Sequence, residues 1–279
     1  MKGETKHMEY LKEKLQIIAK NEYAIPDEIN LEKLIELMLE NIGSLDSELR
    51  DNLIYSTLAR WIGNQKIEKE MLKKIINVAL DNKHLFYKID SKDETAVFTR
   101  SFSILIVALI IYSHRKEKLF NKQESRYIYR KVTQYFKDEN DLRGYVAGYG
   151  WAHSVAHTAD ALDELAMCEE IGIDELKNML ENIKYKVSIG TYVYVHEEDE
   201  RLVTAIMSII SRKIILEDEL TKWIESFLEL EELDDSMKNY CKDLNIKNFM
   251  RSLYFRLLNT GENKELIDVI IRVLNRNKL

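Results

Sequence analysis

The sequence predicts an all-α protein of stacked antiparallel helix pairs, a HEAT/armadillo-like α-α superhelix, with an irregular helical globule as the alternative. Three observations carry this. Apolar residues recur at steps of three and four along almost the whole chain. Alternating strand patterns are nearly absent. One proline and nine glycines in 279 residues leave few of the punctuators that strands and tight turns require. With 46% hydrophobic and 32% charged residues, the chain can furnish both faces of amphipathic helices and a large core.

Start and stop signals divide the chain into about a dozen helices. The first is Thr5–Lys20. In Asn30–Asn41, Leu31, Leu34, Ile35, Met38, Leu39 and Ile42 share one face and Gly43 supplies a stop. There follow Asp46–Ile62, Lys66–Asn82 and Asp93–Ser113; the run Ser101–Tyr112, SFSILIVALIIY, is too short to span a membrane and is expected to be a buried central helix. The remainder read as Lys122–Lys137, Gly150–Glu169, Asp174–Val187, Asp199–Ser211, Glu217–Leu230, Asp234–Leu244, Ile246–Leu258 and Glu262–Asn275. The exception is Tyr185–His196, rich in β-branched and aromatic residues around Gly190, which is expected to be an extended connector. A helix pair occupies roughly 40 to 47 residues, the length of a HEAT or armadillo unit. No linker stands out, so residues 1–279 are expected to form a single domain.

A net charge of −7 argues against nucleic acid as a partner. Cys168 and Cys241 form no metal or disulfide pattern, which fits a reducing cytoplasm. The N-terminal MKGETKHMEYLKEK has no apolar core of a secretory signal, and no membrane association is expected.

Chemistry concentrates in RGYVAGYGWAHSVAHTAD, Arg143 to Asp160. On a helix, His153, His157, Asp160 and Glu164 fall at about 0°, 40°, −20° and 20°, one narrow stripe beside the small residues Ala152, Ala156 and Ala159. Histidines at i and i+4 are the spacing of helical zinc sites, and Asp160 is a candidate third ligand, although the glutamate of HExxH is missing. Gly144, Gly148 and Gly150 permit positive φ, so the loop beside Arg143 is a candidate anion cradle; it is neither a P-loop nor a dinucleotide turn. A second polar cluster, HEEDER, runs from His196 to Arg201, with Asp199 a natural N-cap of the helix that follows. His196, Glu198, Asp199 and Arg201 are expected to enter a groove next to the histidine stripe.

RGYVAGYGWAHSVAHTAD, together with HEEDERL (196–202), LRDNLIYSTLARWI (49–62) and VFTRSFSILIVALII (97–111), resembles an uncharacterised bacterial domain-of-unknown-function family frequent in Firmicutes, whose central segment reads much like RGYVxGxGWAHxxAHxAD. The resemblance spans about Leu45 to Met207. It implies an all-helical, HEAT-like fold and no particular activity, and it draws attention to Arg60, Trp61, Arg100, Arg143, Gly148, Gly150, Trp151, His153, His157, Asp160, Glu198, Asp199 and Arg201. Arg100 precedes the most apolar run, so it is expected to pair with a carboxylate such as Asp160 or Asp199.

Three readings of the stripe stand side by side. His153, His157 and Asp160 form a hydrogen-bonded packing network; or they bind a divalent metal such as zinc, manganese or iron; or, with Arg100, Arg143 and Arg201, they line a metal-free pocket for a small or anionic ligand. Trp61 and Trp151 are expected in the core or lining a groove, His7, His84 and His114 on the surface, and Glu225–Asp235 on a solvated face. Neither Ser154 nor Cys168 has the surroundings of a nucleophile. The function expected is a binding module whose groove, with Arg100, Arg143, Trp151, His153, His157, Asp160, His196, Glu198, Asp199 and Arg201, takes a protein partner or small molecule. The alternative is a metal-assisted hydrolase with Glu164 or Glu198 as base. Nucleic-acid binding through a face such as Glu124–Lys131 ranks third.

Overall fold

Periodic apolar spacing becomes helix throughout the computed structural model, which describes residues 2–261 and 263–276. The first helices are α1 (Lys2–Lys20) and α2 (Leu31–Glu40). A π-helical stretch, Glu48–Tyr55, then runs directly into α3 (Ser56–Gly63). After α4 (Lys69–Ala79), α5 (Ala96–Glu117) and α6 (Lys122–Asp138), the two-residue strands β1 (Tyr145–Val146) and β2 (Gly150–Trp151) form an antiparallel hairpin. The chain continues through α7 (Ser154–Ala166), α8 (Ile173–Val187), α9 (Glu198–Ser211), α10 (Glu217–Glu225) with a 3₁₀ extension Ser226–Glu229, α11 (Ser236–Thr260) and α12 (Lys264–Arg276). The protein is all-α, as its periodicity predicts. Glu262, the expected start of the last helix, lies outside the described residues.

The chain forms two compact units. The first comprises Met1–Asn121 and Glu139–His157, and the second Lys122–Asp138 and Thr158–Leu279. In the first, α5 packs against α3 and α4, while α1 lies on the π-helical stretch and α3. Residues of α5 are buried on every face, among them Val97, Phe98, Ile104, Ile106, Val107 and Ile110, so this helix is core and not amphipathic. It is long and apolar enough to cross a membrane by length and composition, but 83% of its most apolar window is buried inside the protein. In the second unit α9 packs on α11, α12 on α10 and α11, and α8 on α6, α9 and α11. Leu266, Val269, Ile270 and Val273 are the buried stripe of α12, at the three and four residue spacing that its sequence shows.

Two helix boundaries and one burial differ from the sequence-based expectation, each for a tertiary reason. The expected helices Asp234–Leu244 and Ile246–Leu258 are the single α11. Asn245 does not break it; its side chain donates to the carbonyls of Tyr192 (2.8 Å) and Ile189 (3.3 Å) and accepts from the Tyr194 amide (3.0 Å), tying down the extended connector. Gly190 is needed in that connector, since a Cβ there would meet the Lys238 carbonyl oxygen and Leu233 Cδ1 at 2.6 Å. The expected helix Gly150–Glu169 begins only at Ser154, because Gly150 and Trp151 form a strand and His153 adopts a φ of +47°. Finally, His114 is buried, not on the surface, and its Nδ1 accepts the Phe120 amide at 3.1 Å.

Candidate functional site

The glycine-rich window owes its shape to an arginine elsewhere in the chain. Arg50 lies in the π-helical stretch with no exposed surface. Its Nη1 donates to the Ser44 carbonyl (2.7 Å) and its Nη2 to the Tyr149 carbonyl in the hairpin turn (2.6 Å). Nε lies 2.7 Å from Asp51 Oδ1, an ion pair without hydrogen-bond alignment, and the guanidinium carbon sits 4.4 Å from the Phe98 ring and 4.8 Å from the Phe102 ring. Burial lowers the pKa of Arg50 and raises that of Asp51, while their mutual attraction opposes both shifts.

Gly150 lets the hairpin approach this cation. Its φ is +84°, and a Cβ would stand 3.0 Å from Arg50 Nη2 and from Ser47 Cβ. The neighbouring amides turn inward: Ala152 N–H donates to Gly144 O (2.8 Å), His153 N–H to Arg143 O (3.0 Å) and Tyr149 N–H to Val146 O (3.0 Å). These bonds close the hairpin, so the amides are not aimed at an anion as the glycine pattern suggested.

An aromatic and imidazole array stands on this anchored hairpin. Tyr145, Tyr149 and Trp151 are 53%, 41% and 40% exposed. Tyr145 meets Trp151 edge-on at 5.1 Å between ring centroids, Trp151 stacks on His153 at 4.3 Å, and His153 meets His157 edge-on at 5.7 Å. Phe102 packs edge-on against His157 at 5.3 Å. His157 is buried, with Nδ1 3.0 Å from the Ser101 carbonyl oxygen. A carbonyl only accepts, so Nδ1 carries the proton and Nε2 is the basic nitrogen of the neutral ring. His153 precedes α7, and its carbonyl accepts the His157 amide at 2.9 Å. The helical stripe inferred from the sequence therefore starts at His157, with His153 joined to it through the loop.

Arg100 and Arg143 serve the architecture of the same unit. Arg100 grips Glu139 through Nε (2.6 Å) and Nη2 (2.8 Å) and donates to Tyr87 O (3.0 Å). The partner is thus Glu139 and neither Asp160 nor Asp199; the two-pronged geometry gives a buried guanidinium its counter-charge. Arg143 holds Asp141 through Nε (2.8 Å) and Nη2 (2.5 Å) and also donates to the Glu94 carbonyl.

The second unit gathers the remaining candidates. Asp160 pairs with Arg201 at 2.9 Å, joining the end of the glycine-histidine stretch to the HEEDER segment. One turn on, Asp163 accepts the Ser208 hydroxyl, so α7 and α9 share a polar seam. Burial raises the Asp160 pKa to about 6; Arg201 opposes the rise, and Asp163 and Glu164 add to it. Glu198 is buried and accepts the His196 amide at 2.8 Å, and burial raises its pKa as well. Asp199 does not cap α9: its carboxylate accepts the Ser252 hydroxyl at 2.9 Å, and Glu197, at φ +65°, precedes the helix.

Sequence reasoning passed over Arg50, Glu139, Asp141, Tyr145 and Tyr149. One signal for Arg50 was available. It shares the apolar stripe of Leu53, Ile54, Thr57 and Leu58, where a lone charge calls for a buried partner.

Residues 85–255 match the model of a family described as a protein of unknown function, DUF2785. No curated protein and no solved structure matches the chain.

The raised Asp160 pKa fixes a pH dependence. Between the usual aspartate value of 3.8 and about 6, the native state holds a proton that the unfolded chain has released. Stability from this group is therefore greatest at low pH and falls as pH rises through that window, by up to about 3 kcal/mol. Urea unfolding across this range is expected to show the decline in the natural chain and a flatter profile in Asp160→Asn. An unchanged profile in the variant assigns the dependence to other groups.

Proposed function

The chain belongs to that family of unknown function, matched over residues 85–255, and from this premise we propose that it is a binding module. Its recognition surface is the aromatic face of the hairpin. The observation that carries this is the exposure of Tyr145, Tyr149 and Trp151 on a turn whose backbone is held by the fully buried Arg50. Large exposed rings on rigid backbone lose little entropy on binding and supply much contact area, so they serve as anchors for the apolar or ring-bearing groups of a protein partner or small molecule. The helix pairings of the second unit, α9 with α11 and α10 with α12, support a HEAT-like architecture, a class that commonly binds partners. The two free, unpatterned cysteines support a reducing cytoplasm as its setting.

Trp151 is also a reporter, since Trp61 and Trp223, the other two tryptophans, are buried. A partner recovered with the natural chain is expected to shift tryptophan emission and to bind Trp151→Ala about ten-fold or more weakly, with thermal unfolding unchanged. Equal binding by the variant overturns the assignment of this surface.

Two observations favour a second reading, a divalent metal held by His153 and His157. Their centroid separation of 5.7 Å is close to the roughly 5 Å of two imidazoles on one tetrahedral ion. The Ser101 carbonyl on His157 Nδ1 is the kind of outer bond that orients a metal-binding histidine. Zinc, manganese or iron there would supply the Lewis acid of a hydrolytic site. Elemental analysis decides it: near-stoichiometric metal in the natural chain, lost in a His153→Ala, His157→Ala double variant, supports the reading, and metal-free protein that takes up none on titration refutes it.

A further inference from the structure

A cavity of about 450 Å³ lies in the second unit between the segment following α10 and the first three turns of α11. That volume falls within the roughly 300 to 1,000 Å³ of small-molecule sites. Phe227, Leu228 and Ile246 give it apolar walls.

Its charges are mismatched in an informative way. Lys242 lines the cavity and is 5% exposed. Two of its ammonium hydrogens are placed, on the Glu231 carbonyl (2.8 Å) and on Asn239 Oδ1 (3.0 Å). Among the described residues no carboxylate pairs with it and no acceptor takes the third hydrogen. A buried ammonium ordinarily has a counter-charge. Two carboxylates, half-buried Asp243 and exposed Glu232, line the same cavity and have no cationic partner among the described residues. Ser236, the first residue of α11, also lines it; the N-cap before it, Asp235, accepts the Lys238 amide at 2.9 Å.

We propose that this cavity binds a small zwitterion with an apolar side group, of the α-amino acid class. The ligand carboxylate completes Lys242, its ammonium group answers Asp243 and Glu232, and its side chain lies along Phe227, Leu228 and Ile246. A simple anion would leave the two acids facing it, and a simple amine would be repelled by Lys242. Only a ligand with both charges satisfies the whole lining.

Calorimetric titration of the full chain with the standard amino acids at millimolar concentration tests this. The best binder is then compared with its deaminated acid and its decarboxylated amine. The expected result is binding by at least one apolar amino acid, with each analogue about ten-fold or more weaker. Asp243→Asn is expected to narrow the gap to the deaminated acid, and Lys242→Met the gap to the amine. Because Lys242 also ties down the Glu231 carbonyl, Asp243→Asn decides the matter if Lys242→Met fails to fold. No binding by any amino acid, analogues that bind equally well, or an Asp243→Asn variant with unaltered discrimination each overturns the proposal.

Discussion

A guanidinium with no exposed surface is the constraint on which the first unit is arranged. Arg50 bonds a carbonyl on either side of itself in space, one from Ser44 and one from the hairpin turn at Tyr149, and lies beside two aromatic rings. Hydrogen bonds to charged groups contribute about 1.5–3 kcal/mol each. Desolvating the cation offsets much of that, so a buried pair such as Arg50 and Asp51 adds little net stability. What it adds is geometry. Leaving a buried donor of the guanidinium without its carbonyl costs about 1–3 kcal/mol, which disfavours arrangements in which the hairpin lies elsewhere. Gly150 follows from the same constraint, because its φ of +84° is strained for any side chain and a Cβ there would press on the guanidinium at 3.0 Å.

That economy separates the polar residues into two kinds. The arginines that looked like ligand arms are engaged within the protein: Arg100 by Glu139, Arg143 by Asp141 and Arg201 by Asp160. They position backbone and helices. The hairpin aromatics are the opposite case, large apolar surfaces left at 40–53% exposure beside a rigid backbone. An exposed apolar surface on a fixed support favours binding, whereas a charge paired within the protein offers a ligand less. This contrast, more than any single residue, is what supports the hairpin in the binding role proposed for it.

Much of the fold was legible because helix periodicity is local. The run Ser101–Tyr112, apolar on all sides, announced a buried helix, and the segments now seen as α2, α4, α8 and α12 followed from their three and four residue spacing. The losses share a cause, namely partners distant in sequence. Asn245 read as a helix break because its real role, binding the Ile189–Tyr194 connector, depends on residues more than fifty positions away. Arg100 was matched to the wrong acid for the same reason, since Glu139 lies in a segment with no motif of its own. His153 read as helical because angular spacing takes no account of a hairpin drawn tight by Arg50. Asp160 pairs with Arg201 within the second unit, a contact between α7 and the HEEDER segment.

If Arg50 holds the hairpin, its removal should release that element before any other. Native-state hydrogen exchange on Arg50→Met, a replacement of similar length without the charge, addresses this directly. The amides of Ala152 and His153, which close the hairpin onto Gly144 and Arg143, are expected to lose most of their protection, while amides in α11 and α12 keep theirs. Protection at Ala152 and His153 equal to that of the natural chain would contradict the account, because the hairpin would then stand without the cation it is built around.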